Sequence, residues 1–243
     1  MSATANNLQE VRQRIRNAVE AAQRGEGAVK LIAVSKTFPA SRVVDAIEAG
    51  QFAFGESYVQ EAVAKMREVD ALLSGRHFPR PPEWHFIGPI QSNKTRPIAA
   101  HFDWVHSVDR LKIADRLSAQ RGPDREALNV LLEVNVDGEA SKSGVLPDRL
   151  IELAQAVVAL PRLRLRGLMA VPEARSEPTE QRAAFARLRV LGQQLRAAGL
   201  PCDQLSMGMS ADLEAAIVEG ATMVRVGTSI FGARTARLIE EES

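Results

Sequence analysis

The sequence predicts a (β/α)8 TIM barrel with an extra N-terminal helix. Three observations lead there. Eight short apolar runs alternate with helical patterns over 243 residues, with no long linker and no break in composition. Gly50, Gly199 and Gly220 each fall where a helix should stop and the next strand begin. No Gly-rich dinucleotide turn follows the first strand, which disfavours the competing open, doubly wound sheet. One domain over residues 1–243 is expected.

The elements follow in order. Leu8, Val11, Ile15, Val19 and Ala22 lie at helical spacing, so Leu8–Arg24 opens the chain as an amphipathic helix. The first strand is expected over Leu31–Lys36, followed by a helix at Ser41–Ala49 and a strand at Phe52–Glu56. A helix at Val59–Leu73 leads through the loop His77-Phe78-Pro79-Arg80-Pro81-Pro82 to a third strand, Trp84–Ile90. The fourth strand is Trp104–Val108, then come a helix at Arg110–Gln120 and a strand at Asn129–Val136. Helix Asp148–Ala159, strand Leu165–Val171, helix Thr179–Ala198 and strand Gln204–Gly208 continue the alternation. Helix Asp212–Glu219 and strand Met223–Gly227 complete it.

Composition narrows the function. A formal charge of +1 gives no footprint for nucleic acid or a membrane surface, and the arginines of Arg12-Gln13-Arg14-Ile15-Arg16 suit a solvated helix face. The single cysteine, Cys202, has no intrachain disulfide partner, which suits a reducing compartment. No apolar run approaches a membrane span, and Met1 to Arg16 is too polar for a secretory signal. A cytoplasmic protein is the expectation. His77, His85, His101 and His106 show no metal-ligand spacing, and no Gly-x-Ser-x-Gly nucleophile turn occurs.

The residue with the most chemistry is Lys36, which closes the apolar run Leu31-Ile32-Ala33-Val34-Ser35. A lysine there either marks a solvated strand end or, desolvated, acts as a nucleophile toward aldehydes. Barrels of this type carry their sites at the C-terminal strand ends, often with phosphate held after strands seven and eight. Those positions here read Ser206-Met207-Gly208-Met209-Ser210 and Arg225-Val226-Gly227-Thr228-Ser229. Glycine lets backbone N–H groups approach an anion closely. Ser210 suits an N-cap equally well, and Asp212 places a carboxylate nearby that would repel a dianion.

Arg225 and Gly227 share a strand face, and an arginine facing a barrel interior needs an acceptor. That acceptor is either a carboxylate such as Glu133 or Glu56, or the ring nitrogen of a heterocycle lying over Gly227. A nucleophilic lysine, a phosphate cup and an arginine for a ring nitrogen together describe pyridoxal 5′-phosphate. Lys94 and Lys142 also sit in strand-end loops, as solvated charge or as transient aldehyde captors. His85 reads as a core histidine or as an acid–base group.

Several stretches carry a family resemblance. They are Ala33-Val34-Ser35-Lys36-Thr37, Phe54-Gly55-Glu56-Ser57-Tyr58, Trp84-His85-Phe86-Ile87-Gly88, Gln91-Ser92-Asn93-Lys94 and Ser141-Lys142-Ser143-Gly144. Arg166-Gly167-Leu168-Met169-Ala170, Ser206-Met207-Gly208-Met209-Ser210 and Val224-Arg225-Val226-Gly227-Thr228 complete the set. In this order, over almost the whole chain, they resemble the pyridoxal phosphate homeostasis proteins, a PLP-binding-protein family. The resemblance implies a barrel like the N-terminal domain of alanine racemase, with Lys36 carrying the cofactor as a Schiff base. It further implies phosphate contacts from Ser210, Gly227 and Thr228, and Arg225 at the pyridine nitrogen; Ser57, Met209, Met169 and His85 are further candidate cofactor contacts. The family usually has asparagine where this chain has Ser57, a shorter side chain with a different donor and acceptor set.

Two functions compete: a protein that holds and delivers a reactive cofactor to apo PLP-dependent enzymes, and an amino-acid racemase or decarboxylase. The resemblance favours the first, without an established reaction, and a monomer is expected. Arginine at the ring nitrogen would make the ring a poor electron sink. A two-base racemase also needs a proton donor opposite the lysine, and the chain leaves no room for the further domain that supplies one in alanine racemases. A class I aldolase would explain Lys36 and the phosphate cup but not Arg225.

Overall fold

The computed structural model describes residues 2–139, 142–173 and 177–233. Within them eight parallel strands close into a barrel in chain order. They are β1 (Lys30–Val34), β2 (Ala53–Glu56), β3 (Glu83–Phe86), β4 (Trp104–Val108), β5 (Leu128–Glu133), β6 (Leu163–Met169), β7 (Gln204–Ser206) and β8 (Met223–Val226). The closing pair sets Ile32 opposite Arg225 and Ala33 opposite Val226. The helices are α1 (Ala3–Ala21), α2 (Ala40–Glu48), α3 (Val59–Leu73), α4 (Thr95–His101), α5 (Leu111–Gln120), α6 (Leu150–Val158), α7 (Pro178–Ala197), α8 (Leu213–Val218) and α9 (Thr228–Phe231). The barrel expected from the alternation is the one observed.

The differences concentrate at the C-terminal strand ends. β1 stops at Val34, β3 at Phe86, β5 at Glu133 and β7 at Ser206, each short of the expected end. The next residues leave the sheet: Thr37 and Gly208 take left-handed φ values of 68° and 91°. Lys36 therefore lies in a turn just past β1, where the Phe38 N–H bonds the Ser35 carbonyl at 3.0 Å. Two helices were not expected. α4 follows a short 3-10 turn at Ser92–Lys94 and tolerates Pro97 in its first turn, where no intrahelical N–H bond is lost. α9 is a single turn too short to show periodicity. Gly50, Gly199 and Gly220 do end helices in the left-handed region, at φ 79°, 74° and 97°.

α1 begins earlier than its apolar spacing suggests because Ser2 caps it, its side chain accepting from the Ala5 N–H. Its stripe of Leu8, Val11, Ile15 and Val19 is buried against the barrel, each side chain contributing roughly 1.5–3 kcal/mol. The same helix clasps the last two strand–helix units. Asn7 donates to the Ile230 carbonyl at 2.9 Å, and Arg14 to the Ser210 carbonyl at 3.0 Å.

The main apolar core lies between strands and helices. A smaller layer of Ile32, Trp104, Leu131, Met169 and Met223 fills the barrel interior. Cys202 is a buried thiol, pushed up to about 11 by that burial. No helix among the described residues is long and apolar enough to cross a membrane.

Gly167 marks a register shift between β5 and β6. Its φ is 146°, and a Cβ there would lie 1.9 Å from the Gln204 carbonyl oxygen. Gly167→Ala should therefore cost about 3 kcal/mol or more, because both left-handed strain and a backbone clash must be relieved. Gly25→Ala, with nothing within 4 Å of its Cβ, is the control. Urea denaturation of both variants checks this, and equal midpoints would contradict it.

Candidate functional site

The turn carrying Lys36 is fixed from outside the barrel. Lys65 on α3 is buried, and its ammonium donates to the Ser35 carbonyl at 2.7 Å, to Glu56 Oε1 at 2.8 Å and to Glu61 Oε1 at 2.7 Å. Ser35 Oγ donates to the same Glu56 oxygen at 2.7 Å, and the Thr37 N–H donates to Glu61 Oε1 at 2.7 Å. Burial pushes the Glu56 carboxyl above its ordinary range, and the Lys65 charge opposes that rise. Both neighbours of Lys36 are thus tied to one ammonium. Removing Lys65 would strand a buried carboxylate, a loss on the order of 3–5 kcal/mol.

Arg225 lies inside the barrel, 5 % exposed. Its expected carboxylate partners are not what it touches. Nη1 donates to Ser206 Oγ at 2.6 Å and Nη2 to the Ala170 carbonyl at 3.0 Å. Glu56 is occupied by Lys65, while Glu133 and Asp212 act on the guanidinium only through their charge. Burial lowers Arg225 to about 10, so it remains protonated at neutral pH.

From Arg225 a polar chain runs down the barrel. Ser206 Oγ is 2.9 Å from His106 Nδ1, His106 Nε2 is 2.9 Å from His85 Nδ1, and His85 Nε2 is 2.5 Å from Glu83 Oε1. Lys30 donates to the same Glu83 oxygen at 2.8 Å. Burial alone would raise Glu83, but hydrogen bonds from His85 and Lys30 prevail and hold it down to about 2. An arginine only donates and an ionised carboxylate only accepts. The tautomers follow: His85 carries its proton on Nε2 and His106 on Nε2, and the Ser206 hydroxyl donates to His106. Both rings are completely buried, which lowers their pKa values, that of His106 well below the ordinary range. Both ring nitrogens of His85, a candidate cofactor contact, are engaged inside the barrel, and hydrogen bonds through His106 and Ser206 link it to Arg225.

At the mouth, Thr228 Oγ1 lies 3.3 Å from Ser210 Oγ. Two loops far apart in sequence thus bring their hydroxyls together. Between them Gly227 leaves no side chain, and a Cβ there would meet the Val34 carbonyl at 3.2 Å. Gly208 is locked more tightly, its imagined Cβ 2.5 Å from the Ala216 methyl. Ser210 is not an N-cap: Asp212 holds that position at α8, two residues later. Asp212 Oδ1 accepts from the Met209 N–H at 2.6 Å, and burial raises its carboxyl above the usual range. The carboxylate expected to repel an anion is thereby turned toward backbone.

The remaining expected residues scatter. Ser57 follows β2, half-buried, with its backbone pressed on Gly88: a Cβ on that glycine would lie 2.4 Å from the Ser57 carbonyl. Met209 is exposed at the mouth. Met169 lies in the interior apolar layer below it. Lys142 pairs with Glu139 at 2.9 Å, Lys94 ends the 3-10 turn before α4, and Ser141 lies outside the described residues. Tyr58 is exposed beside β2. Glu133 is a mouth residue that the sequence suggested only as an ion-pair partner. Burial, reinforced by Asp109, raises it to about 7. No group of three metal-ligating side chains occurs among the described residues.

Residues 6–235 match the family model described as alanine racemase, N-terminal domain. A pyridoxal phosphate homeostasis protein of Pseudomonas aeruginosa is 59% identical over 96% of this chain and 97% of its own length. That of Escherichia coli is 50% identical over 96% and 98%. PipY of Synechococcus elongatus, solved with PLP bound, superposes with a TM-score of 0.79 at 36% identity, covering 94% of this chain and all of that one. Alanine racemase of Corynebacterium glutamicum shares the fold at 21% identity and a TM-score of 0.64, covering 99% of this chain and 63% of its own.

The buried histidine pair predicts a pH dependence of stability. The unfolded chain takes up a proton on each histidine near the ordinary 6.5, whereas the folded rings stay neutral. Their contribution is complete above that pH and is lost as pH falls, by up to about 1.4 kcal/mol per pH unit for each ring. His106→Gln should lose stability at pH 7.5 but show a shallower decline toward pH 5. Urea titrations across that range give the two slopes; parallel curves would contradict neutral, buried rings.

Proposed function

The chain belongs to the pyridoxal phosphate homeostasis protein family, and we propose that it holds pyridoxal 5′-phosphate at the barrel mouth and releases it to apo-enzymes. The observation that supports this best is the meeting, at one mouth, of the Ser210–Thr228 hydroxyl pair with a protonated Arg225 whose two contacts are neutral. A site that already paired its arginine with a carboxylate would have no charge left for a ligand. The residues fit the cofactor. Gly227 leaves room for a ring, Arg225 keeps N–H donors beyond those given to Ser206 and Ala170, and the hydroxyl pair suits a phosphate.

When bound, the cofactor supplies an aldehyde that condenses with amines and a ring that withdraws electrons if its nitrogen is protonated. In the proposed arrangement Lys36 is the amine nucleophile, presented by the turn that Lys65 fixes. Ser210, Gly227 and Thr228 bind the phosphate. Arg225 donates to the ring nitrogen and keeps protons off it, so amino-acid chemistry is not promoted. Ser57 and Met209 border the ligand, and Met169 supports it from below. Glu133, titrating near neutrality, is placed to exchange a proton with an entering amine. The protein is proposed to work as one barrel domain, monomeric and in the cytoplasm.

Borohydride treatment of the loaded protein, followed by peptide mapping, should place the pyridoxyl group on Lys36, and Lys36→Ala should lose it. Label found mainly on Lys94 or Lys142 would overturn the assignment. Thr228→Val should weaken PLP binding about tenfold or more while sparing pyridoxal, since each hydrogen bond to a charged acceptor contributes roughly 1.5–3 kcal/mol. Equal losses for both ligands would remove the phosphate role.

The homeostasis role is tested separately. The loaded protein is incubated with L- and D-amino acids in deuterated water, and in parallel supplied to an apo PLP enzyme. Slow α-proton exchange together with recovery of the apo-enzyme is expected. Rapid exchange with inversion would make the protein a racemase.

A further inference from the structure

A cavity of about 660 Å³ opens at the opposite end of the barrel, beneath the N-terminal ends of β1 to β3 and walled by the second half of α1. It exceeds the hollow of about 280 Å³ beside Glu133 at the mouth, and none of the residues placed at the mouth lines it. Its floor is apolar: Val19, Leu31 and Phe52 are all buried side chains. Its walls carry Arg12, Arg16 and Arg80.

These guanidiniums are held by neutral groups. Arg12 donates to the Ala49 carbonyl at 2.8 Å and the Gln51 amide oxygen at 3.4 Å, Arg16 to the amide oxygen of Gln13, and Arg80 lies 5.1 Å above the Phe52 ring. Arg12 and Arg16 are close enough for the Arg16 charge to lower Arg12, after burial itself. Two like charges drawn together, with no carboxylate hydrogen-bonded to either among the described residues, raise the local potential, and an anion is what relieves it. Of the carboxylates that line the cavity, Glu83 is already engaged by Lys30 and His85, while Glu20 and Glu26 are exposed. A guanidinium already stacked on an aromatic ring offers a second flat face.

We propose that this cleft is a second ligand site, built for a small aromatic anion whose phosphate or carboxylate group is bound by Arg12, Arg16 and Arg80 and whose ring packs on Phe52. The shape supports both halves of such a ligand. A bare inorganic ion would leave the apolar floor unused, and an uncharged aromatic would leave the guanidiniums unpaired. Phosphate and carboxylate share the recognition chemistry, because arginine binds either with two parallel hydrogen bonds. The site is independent of the cofactor reading, since it shares no residue with the proposed mouth contacts.

Calorimetric titration of the full chain with phenyl phosphate, benzoate and inorganic phosphate tests it. Phenyl phosphate or benzoate should bind, with the tighter of the two identifying the head group, and inorganic phosphate should bind more weakly than phenyl phosphate. The double variant Arg16→Gln/Arg80→Gln changes two exposed residues and so leaves the fold intact. It should lose roughly tenfold or more in affinity for the better probe. Thr228→Val, which weakens phosphate binding at the mouth, should leave the binding component lost in the double variant unchanged. The proposal fails if neither aromatic probe binds at millimolar concentration, or if the arginine variant binds them as well as the parent. It also fails if Thr228→Val abolishes binding, which would place the anion at the mouth alone.

Discussion

The polarity of one internal hydrogen-bonded chain governs the barrel. Arg225 at one end only donates, and Glu83 at the other only accepts, because Lys30 and His85 keep it ionised. Ser206, His106 and His85 between them have one arrangement that satisfies every atom. A barrel interior of this size is normally filled by branched apolar side chains; here only Ile32, Trp104, Leu131, Met169 and Met223 form that layer. The ring of His85 stacks on Trp104 with centroids 5.5 Å apart, so the polar chain and the apolar layer lock each other's orientation. Deleting His106 would leave both Ser206 and His85 with an unsatisfied buried group, which is why a partly connected network costs more than none.

A second network, outside the sheet, does the same for Lys36. The Lys65 ammonium is bonded to the Ser35 carbonyl and to the carboxylates that hold Ser35 Oγ and the Thr37 N–H. The turn between those residues includes a non-glycine residue at φ 68°, a conformation that persists only where its surroundings impose it. The two networks meet different elements. The inner one mounts Arg225 on β8, and the outer one mounts Lys36 through α3. The amine and the guanidinium are therefore positioned by separate supports, and a disturbance of one need not displace the other.

Much of this was legible in the sequence, and the reason for the rest is physical. Continuous apolar runs and period-3.6 patterns located eight strands and most helices, because a strand buried on both faces and a helix buried on one each leave a local pattern in the chain. The strands end earlier than the sequence suggests: Ile87-Gly88 and Met207-Gly208 continue the apolar runs, and Ser35-Lys36 directly follows one, while the backbone has already left the sheet. α4 and α9 escaped notice, the one carrying a proline in its first turn and the other being a single turn long. His106 shows no metal-ligand spacing in the sequence. Its role depends on His85 and Ser206, 21 and 100 residues away, which become neighbours only when strands β3, β4 and β7 are brought together. The clue available was the alternation itself: once Arg225 is set inside the barrel, the polar residues on other inward faces are its candidate partners. Lys65 gave no signal at all, because a lysine at helical spacing among Glu61 and Glu68 reads as a solvated face until Glu56 is placed beside it.

The inner chain also bears on what the mouth can do. Burial lowers Arg225 only to about 10, and proton withdrawal through Ser206 is blocked because that hydroxyl already donates to a neutral His106. The guanidinium consequently keeps its charge over the physiological range, and a ring nitrogen lying against it is held in its unprotonated form. A ring in that state stabilises a carbanion poorly, whereas its aldehyde still reacts with amines. On the proposed reading, the chemistry left to such a site is reversible capture, with Lys36 as the resident amine and Glu133, raised to about 7, as the proposed group to give or take a proton as one amine replaces another. If the proposed site is correct, the fixed polarity of the barrel leaves holding and handing over open as its activities and disfavours catalysis of amino-acid turnover.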